Sequence, residues 1–410
     1  MSNRFTRRVS RRASRWLLVL SDATGTAGTA AILSAGTAAH ADPSFTSAFV
    51  GVGSDIQDQF AGFEGSSPQA PTTQTVTAFP LLHSSAATNN EGIASFDAAP
   101  AGGSTTNPGC IISKTGGPAF DRPNSTTAGI TALLAAINGT GWENSSASCT
   151  GATVNVTGEI DFARAARGPK TGGSTLTFIP YARDAVGILA DDRGTGHLAT
   201  LTTAQLTSLY TSSTGTITVN GDTVHACLTI SGSTPRSNLE SALGITDAQA
   251  NTAANAAGCN NIAQHSGNAF LTATQSLPSG SDAVIPISAG SWIGQANGLA
   301  VDRSDQARAA GFFLAAVDSL GQPYTGTAPN LAPNTTYFQS TSYGYNLWVV
   351  VPTTSISGFG ANAALESLFV GSSSAICSST EQTQVVNRFG FDSLVSAEGT
   401  CGSITTQGNS

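Results

Sequence analysis

Charge is scarce in this chain of 410 residues. Charged residues make up only 10% of it, well below the roughly 25% that is usual in soluble domains. Its polar surface must therefore rely on Ser, Thr, Asn, Gln and Gly. Long apolar runs are also missing, since none after residue 41 reaches the roughly 18 residues that a membrane-spanning helix needs. We therefore expect no membrane span in the mature chain.

The sequence lacks the usual catalytic and metal-binding motifs. No C-x-x-C pair is present, which argues against zinc and redox sites, and the histidines show no H-E-x-x-H spacing. Lys114-Thr115-Gly116 and Lys170-Thr171-Gly172 have no S-x-x-K partner to supply a nucleophile, so we interpret both as turns. No G-x-S-x-G elbow occurs either. We expect no enzymatic activity, no metal and no cofactor.

The first 41 residues have the pattern of a secretory signal. Six arginines precede the apolar stretch at residues 16–20, and a small-residue segment ends at Ala39-His40-Ala41. This pattern predicts cleavage before Asp42 and a secreted or extracytoplasmic protein. The paired arginines leave Sec and twin-arginine export open, and a basic tail that binds nucleic acid is the alternative interpretation.

The mature chain would be acidic. The whole chain has a net charge of −8, and loss of residues 1–41 removes six Arg and one Asp. Eleven basic and 24 acidic residues then remain, a net charge of −13. Nucleic acids and anionic membranes attract clustered positive charge, so neither is an expected partner.

Six cysteines in an exported chain predict disulfides. Six cysteines allow fifteen pairings, and their spacing favours the sequential set. That set is Cys110–Cys149, Cys227–Cys259 and Cys377–Cys401.

Strand and helix patterns alternate along the chain, which predicts α/β lobes with mainly parallel sheets. Residues 176–181 and 185–189 are strand-like, whereas residues 128–137 and 202–210 have helical patterns with polar caps. About 370 residues would remain after cleavage, more than one core usually holds, so two lobes are expected.

Four polar loops lie where a strand pattern gives way to a helix pattern, at residues 51–55, 124–129, 163–168 and 231–236. Amide groups at the start of a helix are unpaired and partly positive, so hydroxyls and glycines there favour anion binding. The loops predict a site for a small oxyanion, although each hydroxyl could equally be an ordinary helix cap. The candidate ligand-binding residues are Ser54, Asp55, Thr126, Thr127, Arg164, Arg167, Ser231, Gly232, Ser233 and Arg236. We expect Arg183 and Asp184 to form a bracing ion pair.

The order of these pieces resembles that of the phosphate-binding periplasmic proteins of ABC transporters, in a diverged branch of exported bacterial relatives. Ser125-Thr126-Thr127-Ala128-Gly129 is similar to that family's Gly-Ser-Ser-Ala-Gly turn. Ile160-Asp161-Phe162-Ala163 is similar to its Val-Asp-Phe-Gly strand, and Ser231-Gly232-Ser233-Thr234 resembles its Asp-Gly-Ser-Gly-Thr loop. The resemblance covers most of residues 47–395.

The resemblance implies a two-lobed type 2 periplasmic-binding-protein fold that closes as a hinge. Lobe 1 would comprise residues 42–185 and 344–410, lobe 2 residues 186–343, with crossings near 183–186 and 343–346. It also implies a monomer that holds a small oxyanion for uptake through an ABC permease, with phosphate as the first candidate. The alternative is a cell-surface or matrix protein of the same fold without a transport function.

One departure from the family bears on the ligand. The family places an aspartate, which accepts the ligand's proton, where this chain has Arg164 and Arg167. Arginine donates hydrogen bonds to phosphate and sulfate alike. We therefore expect weak discrimination between the two anions, unless Asp55 takes over the proton-accepting role.

Overall fold

One mixed sheet forms the framework of the protein. The computed structural model describes residues 49–56, 93–98, 108–144, 149, 151–192, 195–395 and 399–410, so the predicted signal peptide lies outside the described residues. Within this part of the chain the sheet has ten strands. They are β1 (Phe49–Gly53), β2 (Ile93–Ser95), β3 (Phe162–Ala165), β4 (Leu176–Asp191), β5 (Thr216–Val219), β6 (Asp222–Ala226), β7 (Asp282–Ser288), β8 (Phe313–Leu314), β9 (Gly344–Pro352) and β10 (Thr406–Gly408).

The strand order is β5-β6-β7-β4-β9-β3-β1-β2, and β8 and β10 also pair with β4. The predicted α/β class is confirmed, but the expectation of mainly parallel sheets is wrong at the centre. Parallel pairing occurs between β1 and both β2 and β3, and between β6 and β7. The central β4 pairs antiparallel with β7 and β9, and β9 pairs antiparallel with β3. The two long strands that connect the halves of the sheet run in opposite directions, which makes the centre antiparallel.

Strand β4 changes partners in its middle. Residues 176–185 pair with β9, from Leu176 opposite Pro352 to Ala185 opposite Gly344. From Val186 opposite Ser288 onward, β4 pairs with β7. All sixteen residues of β4 are buried. The change of partner falls within the segment expected as a crossing, and the division into two moving lobes remains a prediction.

Helices pack against the strands of the sheet. The α-helices within the described residues are α1 (Thr126–Asn138), α2 (Thr203–Tyr210), α3 (Thr234–Leu243), α4 (Asp247–Ala256), α5 (Gly267–Thr274), α6 (Ala289–Ala296), α7 (Asp305–Ala309), α8 (Thr335–Phe338), α9 (Ala363–Phe369) and α10 (Ser379–Glu381). Short 3-10 turns occur at Asp318–Leu320, Thr353–Ser355, Gly358–Gly360 and Ala375–Cys377, and a π-helical turn at Gln382–Asn387. No helix in the described part of the chain is long and apolar enough to cross a membrane.

In the described ranges, four pairs of two-residue strands lie outside the main sheet. They join Cys110–Ile111 to Phe120–Asp121, Gly141–Trp142 to Val154–Asn155, Thr200–Leu201 to Ala316–Val317, and Tyr324–Thr325 to Ala332–Pro333.

Buried polar groups hold the middle of β4. Asp184 does not form the expected ion pair with Arg183, because successive residues of a strand point to opposite faces. The Asp184 carboxylate accepts hydrogen bonds from Ser288 Oγ (2.6 Å), Tyr345 Oη (2.5 Å) and the amide of Gly290 (2.9 Å). Burial raises the pKa of Asp184 to about 6, although these hydrogen bonds oppose the rise. Arg183 donates to Phe338 O (2.7 Å).

The six cysteines are joined in the sequential pairs. Their Cα–Cα distances are 5.1 Å for Cys110–Cys149, 4.6 Å for Cys227–Cys259 and 5.7 Å for Cys377–Cys401. In each pair both cysteines lie on the same side of residues 185 and 344 in the sequence. Each disulfide therefore stays within one predicted lobe.

Peptide mapping of the unreduced protein should recover these three links alone. Each pair closes a loop that lies on one side of the partner change in β4, so shuffled pairs would need the chain to refold. A peptide that joins Cys149 to Cys227 would contradict both the pairing and the predicted lobes.

Candidate functional site

The first turn of α1 packs against the end of β1. Gly53 has φ of +126°, and a Cβ on Gly129 would lie 2.5 Å from the Gly53 Cα, so the helix can approach the strand only with glycine there. Ser125 caps the helix, because its Oγ accepts from the amide of Ala128 at 3.2 Å. Apolar residues of α1, such as Ile130, are buried on the sheet. This packing brings the amino end of α1 to the carboxyl end of β1.

Arg167 follows β3 and faces the first turn of α1. Its Nη2 lies 3.4 Å from Thr127 Oγ1, and its Nη1 donates to Gly168 O at 3.0 Å. The neighbouring amide of Ala166 donates to Thr126 Oγ1 at 3.0 Å, which fixes the loop against the helix. Partial burial lowers the pKa of Arg167 from its ordinary value. A partly desolvated cation is thereby held beside the amino end of α1.

A second helix approaches from the other half of the sheet. Helix α3 begins after Ser233, whose side chain does not cap the helix, and Pro235 lies in its first turn. The Ser233 Oγ is instead 2.6 Å from Thr229 Oγ1. Gly232 has φ of +79°, which allows the loop to turn sharply before the helix. The first amides of α3 are therefore not capped by the serine that precedes them.

Asp55 connects the β1 loop to the segment before α5. Its carboxylate accepts a hydrogen bond from Gln264 Nε2, and its Oδ2 lies 2.9 Å from His265 Nδ1. Burial raises the pKa of Asp55, but the hydrogen bond and charge of His265 and the amide of Gln264 outweigh it, so that the pKa lies below its ordinary value. Asp55 is therefore ionised at neutral pH, with Gln264 donating to one of its oxygens and the His265 ring beside the other.

These groups surround one cavity of about 420 Å³, which we call the polar cavity. It lies between the amino ends of α1 and α3. Its lining consists of Asp55, Asn124, Ser125, Thr126, Thr127, Arg167, Lys170, Ile230, Ser231, Gly232, Ser233, Thr234, Ser237 and Gln264. Seven of the ten predicted ligand residues are among them. Whether they bind a ligand stays a prediction.

Three predicted ligand residues do not line the polar cavity. Ser54 is buried, and its amide donates to Arg164 O at 3.1 Å. Arg164 is buried too and donates to Ser95 Oγ and Phe96 O, which holds the end of β2. We therefore remove Ser54 and Arg164 from the candidate site.

Arg236 is the third predicted ligand residue that does not line the polar cavity. Its side chain is 1% exposed and pairs with Glu240, one turn further along α3. It donates to Thr229 O (3.0 Å), Glu240 Oε1 (3.0 Å) and Asp247 Oδ1 (2.5 Å). These carboxylates neutralise the guanidinium, so Arg236 stabilises the helix packing and supplies no charge to the cavity.

Three polar side chains of the cavity lie outside the predicted loops, namely Lys170, Ser237 and Gln264. Lys170 lies in a predicted turn, and its position three residues after Arg167 is the sequence signal that could have placed it in the site. Gln264 has no local signal, because only the fold brings it to Asp55. No group of three or more His, Cys, Asp or Glu residues suited to a metal ion occurs in the ranges that the structure describes.

Comparison with known proteins finds similarity in structure alone. No family model and no curated protein matches the chain. An ABC-type phosphate transport receptor from Vibrio cholerae has 15% identity and a TM-score of 0.42, over 84% of this chain and 100% of that one. PstS from Borrelia burgdorferi has 12% identity and a TM-score of 0.40, over 85% of this chain and 98% of that one. The chain is similar to these proteins in its α/β fold.

Proposed function

We propose that the protein is an exported solute-binding protein that holds a small oxyanion in the polar cavity, with phosphate as the first candidate. The observation that supports this most is the convergence of two helix amino ends, from α1 and α3, on the cavity that Arg167 and Lys170 line. Helix amino ends carry roughly half a positive charge each. The site is thus locally positive within a protein of net negative charge.

The polar cavity is built for binding rather than catalysis. Its lining offers hydroxyls, amides and two cations, and Asp55, its only carboxylate among the described residues, is already engaged by Gln264 and His265. Such a set can surround an anion with donors from several directions. It includes no pair of a nucleophile and a base, so we propose no reaction.

Uptake through an ABC permease is part of the proposal. The change of partners in β4, at residues 185 and 186, supports a hinge between two lobes that close on the ligand. The three disulfides support export, because such bonds persist in oxidising compartments. We propose that the protein acts outside the cytoplasm as a monomer.

Calorimetric titration of the mature protein with phosphate and then with sulfate tests the proposal. We expect both anions to bind and excess sulfate to displace phosphate, since Gln264 and His265 already engage the Asp55 carboxylate and no other carboxylate among the described residues lines the cavity. Phosphate that resists sulfate would make Asp55 the acceptor of the ligand's proton, and Asp55→Asn would then remove the preference. Binding of neither anion would favour the surface or matrix protein of the same fold.

A further inference from the structure

A second cavity of about 380 Å³ adjoins the polar cavity. Arg167 lines both cavities. On α3, Ser237 lines the polar cavity and the next residue, Asn238, lines the second one. The two spaces therefore lie side by side, with Arg167 between them. We call the second space the aromatic cavity, after Trp348 and Tyr345 in its wall.

The aromatic cavity has a wall of a different chemistry. Trp348 is partly exposed, and its ring packs edge-on against Phe178, with ring centres 6.4 Å apart and planes at 79°. The hydroxyl of Tyr345 is bound to Asp184, so its ring is fixed. The amides of Asn238 and Asn346 line the same space together with the Arg183 guanidinium, whose Nη1 donates to Asn346 Oδ1 at 2.8 Å. A rigid apolar face bordered by amides can hold carbon groups on the ring and hydroxyls at the edge.

The volumes of the two cavities exceed what inorganic phosphate needs. Its five heavy atoms fill no more than the volume of a few water molecules, at about 30 Å³ for each water. The polar cavity alone holds about 420 Å³, and the aromatic cavity adds about 380 Å³. Sites of roughly 300–1,000 Å³ are typical of organic ligands. The aromatic cavity gives an anion in the polar cavity room for an attached organic group.

We propose that the ligand is a phosphate monoester whose organic group contains hydroxyls. The phosphoryl group lies in the polar cavity beside Arg167, and the organic group lies against Trp348 with its hydroxyls near Asn238 and Asn346. This inference rests on the proposed function, because it extends the same anion site.

The test is calorimetric titration of the mature protein with inorganic phosphate, glycerol 3-phosphate and a hexose 6-phosphate. We expect one of the monoesters to bind about tenfold more tightly than phosphate, because only the organic group makes the contact with Trp348 and the hydrogen bonds to the amides. Trp348→Leu and Asn238→Ala should each reduce this advantage, with phosphate affinity changed less than about threefold. Ser241→Ala, further along α3 and outside both cavities, is the matched control and should leave the advantage intact.

Three outcomes would contradict the inference. Equal affinity for phosphate and both monoesters would overturn it and leave the proposed oxyanion site standing. Failure of all three anions to bind would overturn both. A monoester advantage that survives both substitutions would also contradict it, because the aromatic cavity would then play no part. Asn238→Ala keeps the test decisive if Trp348→Leu fails to fold, since Asn238 is half-buried and bonds within its own helix.

Discussion

Replacement of Arg167 by alanine should weaken phosphate binding by roughly ten- to a hundredfold. Arg167 is the partly desolvated cation of the polar cavity, located beside the first turn of α1. A hydrogen bond between charged groups contributes roughly 1.5–3 kcal/mol, and each 1.4 kcal/mol changes affinity about tenfold. Calorimetric titration of the variant with phosphate measures the effect directly.

Two further variants separate charge from geometry. Arg167→Lys keeps the charge but loses the planar pair of donors, so we expect part of the affinity to remain. Lys170→Ala removes an exposed cation from the rim of the same cavity, and water screens its charge, so its effect should be the smaller one. If Arg167→Ala binds phosphate as tightly as the parent protein, Arg167 is not part of the anion site.

Elements with a strong local pattern could be predicted from the sequence. Helix α1 was expected over residues 128–137 and spans Thr126–Asn138, because its apolar spacing, its serine cap and Gly139 all indicate the same element. The start of α3 has a weaker local pattern, since its first turn contains Thr234 and Pro235 and lacks apolar spacing. Strand β4 was recognised only in two pieces. Its sixteen buried residues include Arg183 and Asp184, which interrupt the apolar pattern although the fold gives both of them partners.

The candidate site was predictable in its backbone and less so in its side chains. Loops at helix starts can be recognised from hydroxyls and glycines, and the loops after β1 and β3 and before α1 and α3 all reach the polar cavity. The direction of an arginine depends on which carboxylates the fold brings near it. Arg236 meets Asp247 across a helix boundary, whereas within the described residues Arg167 donates to Gly168 O and Thr127 Oγ1. Local sequence does not distinguish these two situations.

Glu381 should make the stability of the protein fall as the pH rises above neutrality. Its side chain is 2% exposed, and its Oε2 has no hydrogen-bond partner among the described residues. Burial raises the pKa of Glu381 to about 9, from an ordinary value of 4.5. The folded protein therefore keeps a proton on Glu381 that the unfolded chain releases. The stability is fully present below the unfolded pKa and is lost as the pH approaches the folded one.

Glu381→Gln should remove this dependence. Between about pH 6.5 and about pH 8.5 the parent protein should lose about 3 kcal/mol of unfolding free energy, since each pH unit contributes about 1.4 kcal/mol. Asp184 and Asp282, whose pKa values are raised to about 6, are ionised in both states over most of this interval. Urea unfolding at both pH values measures the slope, and Glu366→Gln, at a less buried position on α9, is the control that should retain it. Equal slopes for the parent protein and Glu381→Gln would mean that Glu381 is ionised in the folded state, and that burial is not what determines its protonation.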